Sequence, residues 1–222
     1  MISVDFADLD SEVFGCLRVS DTASVGWLSP PSTTLQDLRV TGSAPALAIS
    51  GPQGFELVLE PLTEPAEFGG DAQDWLCRAA GNAGVVEIDC LAHVARSPLA
   101  PEAGPRRTVS ALLGASLAVV CRASGPDPES GELETWILRA EGPVRVDDPR
   151  LSTAYAADGS HNRTGLELWE TEESEFPLRL AAERVARACL ELEGVQLDCA
   201  FMRWHHDGRV GAGCYELASV RS

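Results

Sequence analysis

Apolar and polar residues alternate along many short stretches of the chain, which predicts a protein built mostly of β-strands. The first clear stretch runs from Val13 to Val19, where every second side chain would lie on the same face of a strand. Comparable stretches recur at intervals of about ten residues, separated by Gly, Pro, Asp and Ser, which favour turns. This spacing is typical of an antiparallel β-sandwich or β-barrel.

The predicted strands fall into two groups. Residues 60–74 are acidic and contain Pro and Gly, which indicates a loop or a boundary. We therefore expect an N-terminal β half over residues 1–75 and a C-terminal β half over residues 76–222, with one continuous domain as the alternative. Further strands are predicted from the same alternation at Val25–Leu28, Leu35–Val40, Ala46–Ile49, Phe55–Leu59, Val85–Val94, Val109–Arg122, Glu134–Ala140 and Leu166–Glu170.

The stretch over residues 177–190 conflicts with the all-β pattern. It is dense in Ala, Leu, Glu and Arg, it opens with Pro177, and Gly194 follows its end. Glu183 also precedes Arg187 by four residues, the spacing of a stabilising ion pair on a helix. Residue propensity therefore predicts a helix. Tertiary context can override propensity, so helix and strand both stay open.

The clearest element is a C-terminal β-hairpin that turns at residues 206–209. Asp207-Gly208 supplies the positive φ angles that a two-residue hairpin turn requires. On the return strand, Gly211 and Gly213 leave one face bare, which suits close packing against a large side chain or a ligand. Before the turn, alternation places side chains on two opposite faces: Leu197, Cys199, Phe201, Arg203 and His205 on one, and Asp198, Ala200, Met202, Trp204 and His206 on the other.

Composition and charge exclude several partners. The 222 residues carry a net charge of −17, so phosphate backbones and anionic lipid surfaces would repel the chain. All 17 basic residues are arginine, which excludes a Schiff-base lysine and a P-loop lysine. We expect no nucleic-acid partner and no membrane insertion, since no apolar run is long enough to span a bilayer. The seven cysteines lack CxxC spacing and lie mostly in apolar stretches, as expected for reduced thiols in a cytoplasmic protein.

Three stretches resemble a known family. Residues 83–89, 91–93 and 207–216 are similar to those of the lipocalin-like proteins grouped with carotenoid 1,2-hydratase (hydroxyneurosporene synthase) and the AttH proteins. In that family, a strand ending like the first stretch leads into a Gly-His-Arg-Asp-x-Ser-Trp-Gly signature. His93 and Ser97 stand at its His and Ser positions. Its Arg, Asp and Trp positions hold Val94, Ala95 and Pro98 here.

The resemblance implies a lipocalin-like β-barrel in the C-terminal half and favours strands over residues 177–190. It also implies chemistry on an apolar small molecule, because related two-domain barrels in natural-product pathways act as cyclases, including Diels–Alderases. The matching stretches lie in the C-terminal half, and the N-terminal half shows little similarity.

Three ionisable side chains are candidates for acid–base catalysis. His93 would share a strand face with Asp89, and a carboxylate can orient an imidazole for proton transfer. His205 would face the barrel mouth. Glu216 would lie near Asp198 if the hairpin register is tight, and burial would raise its pKa. Each has a structural alternative: a polar link for His93, a solvated turn for His205 and a solvated surface for Glu216.

Aromatic residues and one arginine are candidates for binding the substrate. Aromatic faces stabilise the cationic intermediates of hydration or cyclisation, although the same side chains would serve equally as core. The candidates are Arg203, Trp204, Phe201, Tyr215, Trp136 and Trp169.

These observations support two hypotheses of function. The first is a lipocalin-like enzyme of specialised metabolism that hydrates, cyclises or isomerises an apolar small molecule. The second is a non-catalytic binding or carrier protein for a hydrophobic ligand. No cofactor is expected, and no metal site either, because the adjacent His205 and His206 point to opposite faces of their strand. The sequence leaves a monomer and a homodimer open.

Overall fold

The computed structural model describes residues 1–69, 71–98, 104–125, 131–171, 173 and 175–220. Most of these residues belong to two antiparallel β-sheets, and no α-helix occurs among them. The predicted fold class, an antiparallel lipocalin-like β-barrel or sandwich, is confirmed.

The first sheet contains ten strands. They are β1 (Ile2–Asp8), β2 (Val13–Val19), β3 (Ser24–Ser29), β4 (Thr33–Gln36), β5 (Arg39–Ser43), β6 (Ala46–Ser50), β7 (Phe55–Pro61), β8 (Ala66–Phe68), β9 (Ala72–Ala83) and β10 (Val86–Arg96). Nine of them lie in the order β4-β3-β2-β1-β10-β9-β7-β6-β5, and β8 pairs with β9 beside this row. A 3-10 turn, Pro52–Gly54, precedes β7.

The second sheet contains nine strands. They are β11 (Arg106–Leu112), β12 (Ala118–Ser124), β13 (Glu134–Leu138), β14 (Val144–Arg145), β15 (Asp148–Tyr155), β16 (His161–Trp169), β17 (Leu178–Leu192), β18 (Val195–His206) and β19 (Arg209–Val220). Their order is β14-β13-β12-β11-β19-β18-β17-β16-β15.

Both sheets follow the same path. In each, the first strand pairs with the last, β1 with β10 and β11 with β19. The next three strands extend to one side, and the later strands return from the opposite edge. Each sheet is therefore built from one continuous half of the chain, and the chain passes from the first sheet to the second between Arg96 and Arg106.

Apolar side chains fill a core on each sheet and a third region between the sheets. Phe6, Phe55 and Trp75 are buried in the core of the first sheet. Trp204 and Tyr215 are buried in the core of the second. The cluster between the sheets joins β2 to β18 and β19 and includes Phe14, Cys16, Phe201 and Cys214. Burying one such large side chain contributes about 1.5–3 kcal/mol, so this cluster helps to hold the two sheets together.

The helix that propensity predicts over residues 177–190 is wrong, because these residues form most of β17. This strand pairs with β16 on one side and β18 on the other, and those ladders satisfy its backbone. A register shift between Arg184 and Ala186 turns its two ends towards different cores. Leu180 therefore packs in the core of the second sheet, whereas Leu190 packs between the sheets. Alternate burial outweighs helix propensity here.

Two other expectations differ from the structure. The acidic stretch over residues 60–74, expected to be a loop or a boundary, contains β8. The stretch Val109–Arg122, expected as one strand, belongs to two paired strands, β11 and β12, joined by a turn in which Leu117 donates to the carbonyl oxygen of Gly114.

The C-terminal hairpin is confirmed. His206 pairs with Arg209, and Asp207 and Gly208 have φ angles of 45° and 74°. Both angles lie in the left-handed region, as a type I′ turn requires. The hairpin pairs Cys199 with Glu216, so these two residues lie side by side on the face that packs against the first sheet.

Candidate functional site

A chain of buried ionisable side chains crosses the interface between the two sheets. Asp74 of β9 is completely buried and holds His93 of β10, with 2.8 Å between its Oδ1 and the imidazole Nε2. Arg122 of β12 reaches Asp74 from the second sheet and donates from Nε to Oδ2 at 2.6 Å and from Nη2 to Oδ1 at 2.8 Å. This fork is the strongest geometry for an arginine and a carboxylate.

A second buried group lies beside the first. Arg18 of β2 donates to Glu216 of β19, with 2.6 Å from Nη2 and 3.0 Å from Nε to Oε2. The same Nη2 lies 2.8 Å from Oδ1 of Asp5. Asp5 connects the two groups, because its Oδ2 lies 3.9 Å from Nδ1 of His93. The Sγ of Cys199 also lies 3.7 Å from Oε2 of Glu216.

The two groups are built in the same way. Arg18 lies on the second strand of the first sheet and binds a carboxylate on the last strand of the other sheet. Arg122 lies on the second strand of the second sheet and also binds a carboxylate across the interface, on the strand that pairs with the last one. Each sheet therefore supplies an arginine to the other.

The charges of this region shift the pKa values of its carboxyl groups in different directions. Burial alone would raise the pKa of Asp74, but Arg122 and the hydrogen bond from His93 outweigh it and hold the pKa below its ordinary value. Glu216 follows the same pattern through Arg18. Burial raises the pKa of Asp5, which shares the single charge of Arg18 with Glu216. The raised pKa expected for Glu216 is therefore wrong in direction.

A large open cavity adjoins the first group. Its volume is about 960 Å³, within the range of small-molecule sites. Arg122 forms part of its wall, so the side chain that binds Asp74 also faces the cavity. Phe68, Ala72 and Leu133 supply apolar wall, and Arg106 and Arg107 supply further charge. The ring of Phe68 lies 5.1 Å from the guanidinium carbon of Arg122.

Of the three catalytic candidates, His93 and Glu216 lie in this interface and His205 does not. His93 is 2 % exposed, so Asp74 and Arg122 separate it from the cavity wall. His205 is exposed near the hairpin turn and lines a second cavity, of about 530 Å³. The expected partners are also different. Asp89 binds Arg78 at the surface rather than His93. Asp198 binds Arg187 on one face of the second sheet, and Glu216 lies on the opposite face.

The predicted substrate-binding aromatics Phe201, Trp204 and Tyr215 are core residues. Phe201 packs between Phe14 and Trp27 in the interface between the sheets. Trp204 donates its indole N–H to the carbonyl oxygen of Ser110 at 2.9 Å. Tyr215 stacks on His161, with 4.1 Å between ring centroids.

The other three predicted binding residues lie apart from one another. Trp136 packs edge-on against Phe68, which lines the 960 Å³ cavity. Trp169 lies under the guanidinium of Arg150. Arg203 is partly exposed, and its Nη1 lies 3.9 Å from an oxygen of Glu183.

Sequence reasoning missed Asp5, Arg18, Asp74 and Arg122. The signal was present, because Asp5 and Arg18 each stand between apolar residues inside a predicted or short strand, where an unpaired charge would be costly. The alternation pattern marks such a residue as buried but does not say which distant residue pairs with it.

Within the described ranges, no group of three or more His, Cys, Asp or Glu residues is arranged to hold a metal ion. The described residues also contain no helix that is long and apolar enough to cross a membrane. All seven cysteines are free, and five of them are buried.

Comparison with known proteins supports the fold alone. No protein-family model matches the sequence, and no curated protein is significantly similar to it. The structure is similar to a crystal structure described as that of an AttH protein from Nitrosomonas europaea, with a TM-score of 0.61 and 12 % identity, over 99 % of this chain and 92 % of that one. It also matches the structure of CghA at a TM-score of 0.47 and 12 % identity, over 100 % of this chain and 74 % of that one. The chain thus has the lipocalin-like fold.

Proposed function

We propose that the chain is an enzyme that binds a small molecule in the 960 Å³ cavity and catalyses its hydration, cyclisation or isomerisation in specialised metabolism. The observation that carries this proposal is the position of Arg122. Its guanidinium faces the cavity on one side and is clamped by buried Asp74 on the other.

Arg122 supplies the electrophilic group of the proposed reaction. A guanidinium that donates to a substrate carbonyl oxygen polarises the conjugated system attached to it and stabilises the negative charge that develops in the transition state. Ring closure on an activated alkene gains from that charge without a proton transfer. In water addition to a conjugated alkene and in double-bond migration, solvent water in the open cavity would supply and accept the proton that moves. Removing one such donor typically slows a reaction by about a hundredfold to a thousandfold.

Asp74 and His93 act as positioning residues in this proposal. The carboxylate of Asp74 accepts two bonds from Arg122, so the guanidinium plane cannot rotate when a substrate binds. Because the pKa of Asp74 is low, the carboxylate only accepts, and His93 therefore donates from Nε2. The hydrogen bond from His93 holds the carboxylate of Asp74 in place.

The test is a conversion assay on an extract of a strain of the source organism that lacks the gene. The purified protein is expected to convert an accumulated compound to a product of equal mass, for cyclisation or isomerisation, or heavier by one water, for hydration. Arg122→Met should slow conversion by about a hundredfold or more. The control Arg39→Met removes an exposed arginine of β5 and should leave the rate unchanged. If Arg122→Met converts the accumulated compound as fast as the wild type does, the proposal is contradicted.

A binding or carrier protein is the second candidate. The observation that favours it is the burial of His93 and Glu216, since neither of these acid–base groups reaches the cavity wall. A carrier would bind a compound from the same extract and return it unchanged in mass and chromatographic mobility.

A further inference from the structure

Arg107 of β11 is a buried cation that forms no ion pair with any residue that the structure describes. Its side chain lines the 960 Å³ cavity, the residue is only 4 % exposed, and its Nε has no hydrogen-bond acceptor. Among the described residues no carboxylate lies within ion-pair distance of it. A buried charge without a partner costs several kcal/mol, so such groups normally pair with another charge or with a ligand.

Arg106, the preceding residue, adds a second cation to the same cavity. The two side chains leave β11 on opposite faces, and both line the cavity because the strand begins there. The one hydrogen bond of Arg106 within the described part of the chain is a long one, 3.4 Å from Nη1 to the carbonyl oxygen of Pro98. Burial lowers the pKa of Arg106, the negative charge of Glu216 opposes this, and the positive charge of Arg122 adds to the lowering.

Acidic residues of the cavity do not neutralise these arginines. Glu132, Glu134 and Asp147 also line it. None of the three forms an ion pair with Arg106 or Arg107 in the described structure, and Glu134 instead accepts a bond from the backbone N–H of Gly69 at 3.3 Å. Within the described part of the chain, two arginines of this cavity therefore form no ion pair, although the net charge of the chain is −17.

We infer that the cavity binds a small molecule through a carboxylate group held by Arg107 and Arg106. A guanidinium binds a carboxylate with two parallel hydrogen bonds, and a dry site strengthens them. This inference rests on the proposed function and adds the chemical class of the substrate. Thr108 pairs with Arg122, so Arg122 lies on the same face as Arg106, where it is available for a second oxygen of the same molecule.

The rest of the wall indicates that this carboxylate belongs to an organic acid with an apolar body. Phe68, Leu133, Val146 and Pro149 give the cavity apolar surface that a bare inorganic anion would not cover. The volume is also far larger than such an anion needs, whereas it suits a molecule of drug size.

Calorimetric titration with matched pairs of probes tests the inference. The probes are naphthylacetate, phenylbutyrate and decanoate, each with its neutral amide, and inorganic phosphate. Wild-type protein should bind at least one carboxylate about tenfold more tightly than its amide, and Arg107→Met should lose that difference. Arg106→Met should weaken it, and Arg39→Met should not change it. A carboxylate that binds no better than its amide throughout the series, or phosphate that binds more tightly than every carboxylate, would overturn the inference.

Thermal unfolding without ligand gives an independent readout. Replacing an unpaired buried cation by a side chain of similar length should raise the melting temperature of the ligand-free protein, because the desolvation cost disappears. If Arg107 has only a structural role, its replacement should lower the melting temperature, and that result would overturn the inference. The binding assay needs no turnover. If the protein prefers carboxylates but shows no conversion that depends on Arg122, the proposed reaction alone is contradicted. If conversion depends on Arg122 but carboxylates are not preferred, the carboxylate site alone is contradicted.

Discussion

Arg122 of the second sheet holds Asp74 of the first through two hydrogen bonds of 2.6 and 2.8 Å, across the interface between the sheets. The carboxylate is fully buried, and the arginine faces the large cavity. One contact therefore joins the two halves of the chain and orients the group that we assign to the substrate.

Replacing Asp74 with Asn should lower the free energy of unfolding by about 2–4 kcal/mol at pH 7, because Arg122 and His93 lose a charged acceptor. The pKa of Asp74 lies below its ordinary value of 3.8 in the folded protein, so its stabilisation is present above that value and is lost as the pH falls through the folded pKa. Urea unfolding of both proteins between pH 7 and pH 3 should show the difference shrinking only below about pH 4.

Asp89→Asn is the matched control for this prediction. Asp89 accepts the same two-bond fork from Arg78, at 2.7 Å for each bond, but both side chains are about half exposed. Its loss should therefore destabilise the protein much less than the loss of Asp74 does, because solvent screens an exposed pair. Equal costs for Asp74→Asn and Asp89→Asn would mean that burial adds nothing to the contact between the sheets.

The two carboxyl groups that share Arg18 should respond differently to neutralisation. Glu216→Gln should cost about 3 kcal/mol or more at pH 7, because it removes the closer partner of a buried cation. Asp5→Asn should cost much less, since burial raises the pKa of Asp5 and its ionised form is already disfavoured.

The pH trends of these two variants should also be opposite. Because the folded pKa of Asp5 is raised above its ordinary value of 3.8, the stability of Asp5→Asn relative to the wild type should rise as the pH increases from about 4 and level off above the folded pKa. Glu216 has a lowered pKa, so Glu216→Gln should approach the wild type as the pH falls. Parallel pH profiles in urea unfolding would show that the two carboxyl groups share the charge of Arg18 equally.

Gly213→Ala should destabilise the protein by more than about 3 kcal/mol or prevent folding, because overlap with backbone cannot be relieved by rotating a side chain. An added Cβ would overlap the carbonyl oxygen of Ser110, the atom that accepts the indole N–H of Trp204. Gly208→Ala, in the exposed turn, meets no atom within 4 Å and should cost only about 1 kcal/mol for its positive φ. Chemical denaturation of both variants measures the contrast, and equal costs would refute the close packing at Gly213.

His205→Ala should change neither stability nor conversion, within about 0.5 kcal/mol and experimental error. His205 is six residue steps from Cys199, about 20 Å along β18, so it lies far from Glu216. The measurement is the rate of conversion in the extract assay, beside urea unfolding. Loss of conversion would move the functional site to the hairpin end of the second sheet.

Local patterns in the sequence predicted the fold class well. The hairpin at Asp207 and Gly208 could be predicted in detail, because a two-residue turn and strict alternation act over neighbouring residues. The turn after Leu113 was not predicted, since Gly114 is its one strong turn residue and apolar residues continue on both sides. Residues 177–190 form a strand because two neighbouring ladders reward alternate burial, a property that composition does not contain.

The candidate site was predicted only in part. His93 and Glu216 came from the family resemblance and the hairpin, and both lie in the interface. Arg122 and Asp74 are 48 residues apart and belong to different sheets, so their contact depends on how the sheets pack. The repeated strand order was also invisible, because pairing of first and last strands leaves no fixed period along the chain.

The exchange of arginines between the sheets has a consequence for cooperativity. Separation of the halves would leave Asp74 without Arg122 and Glu216 without Arg18 in surfaces that are otherwise apolar. A partly unfolded state with one intact sheet would therefore expose unpaired charges on the surface that packs against the other sheet in the native protein. The two halves should accordingly melt together, as one transition in calorimetry, although each sheet is formed by its own continuous segment of chain.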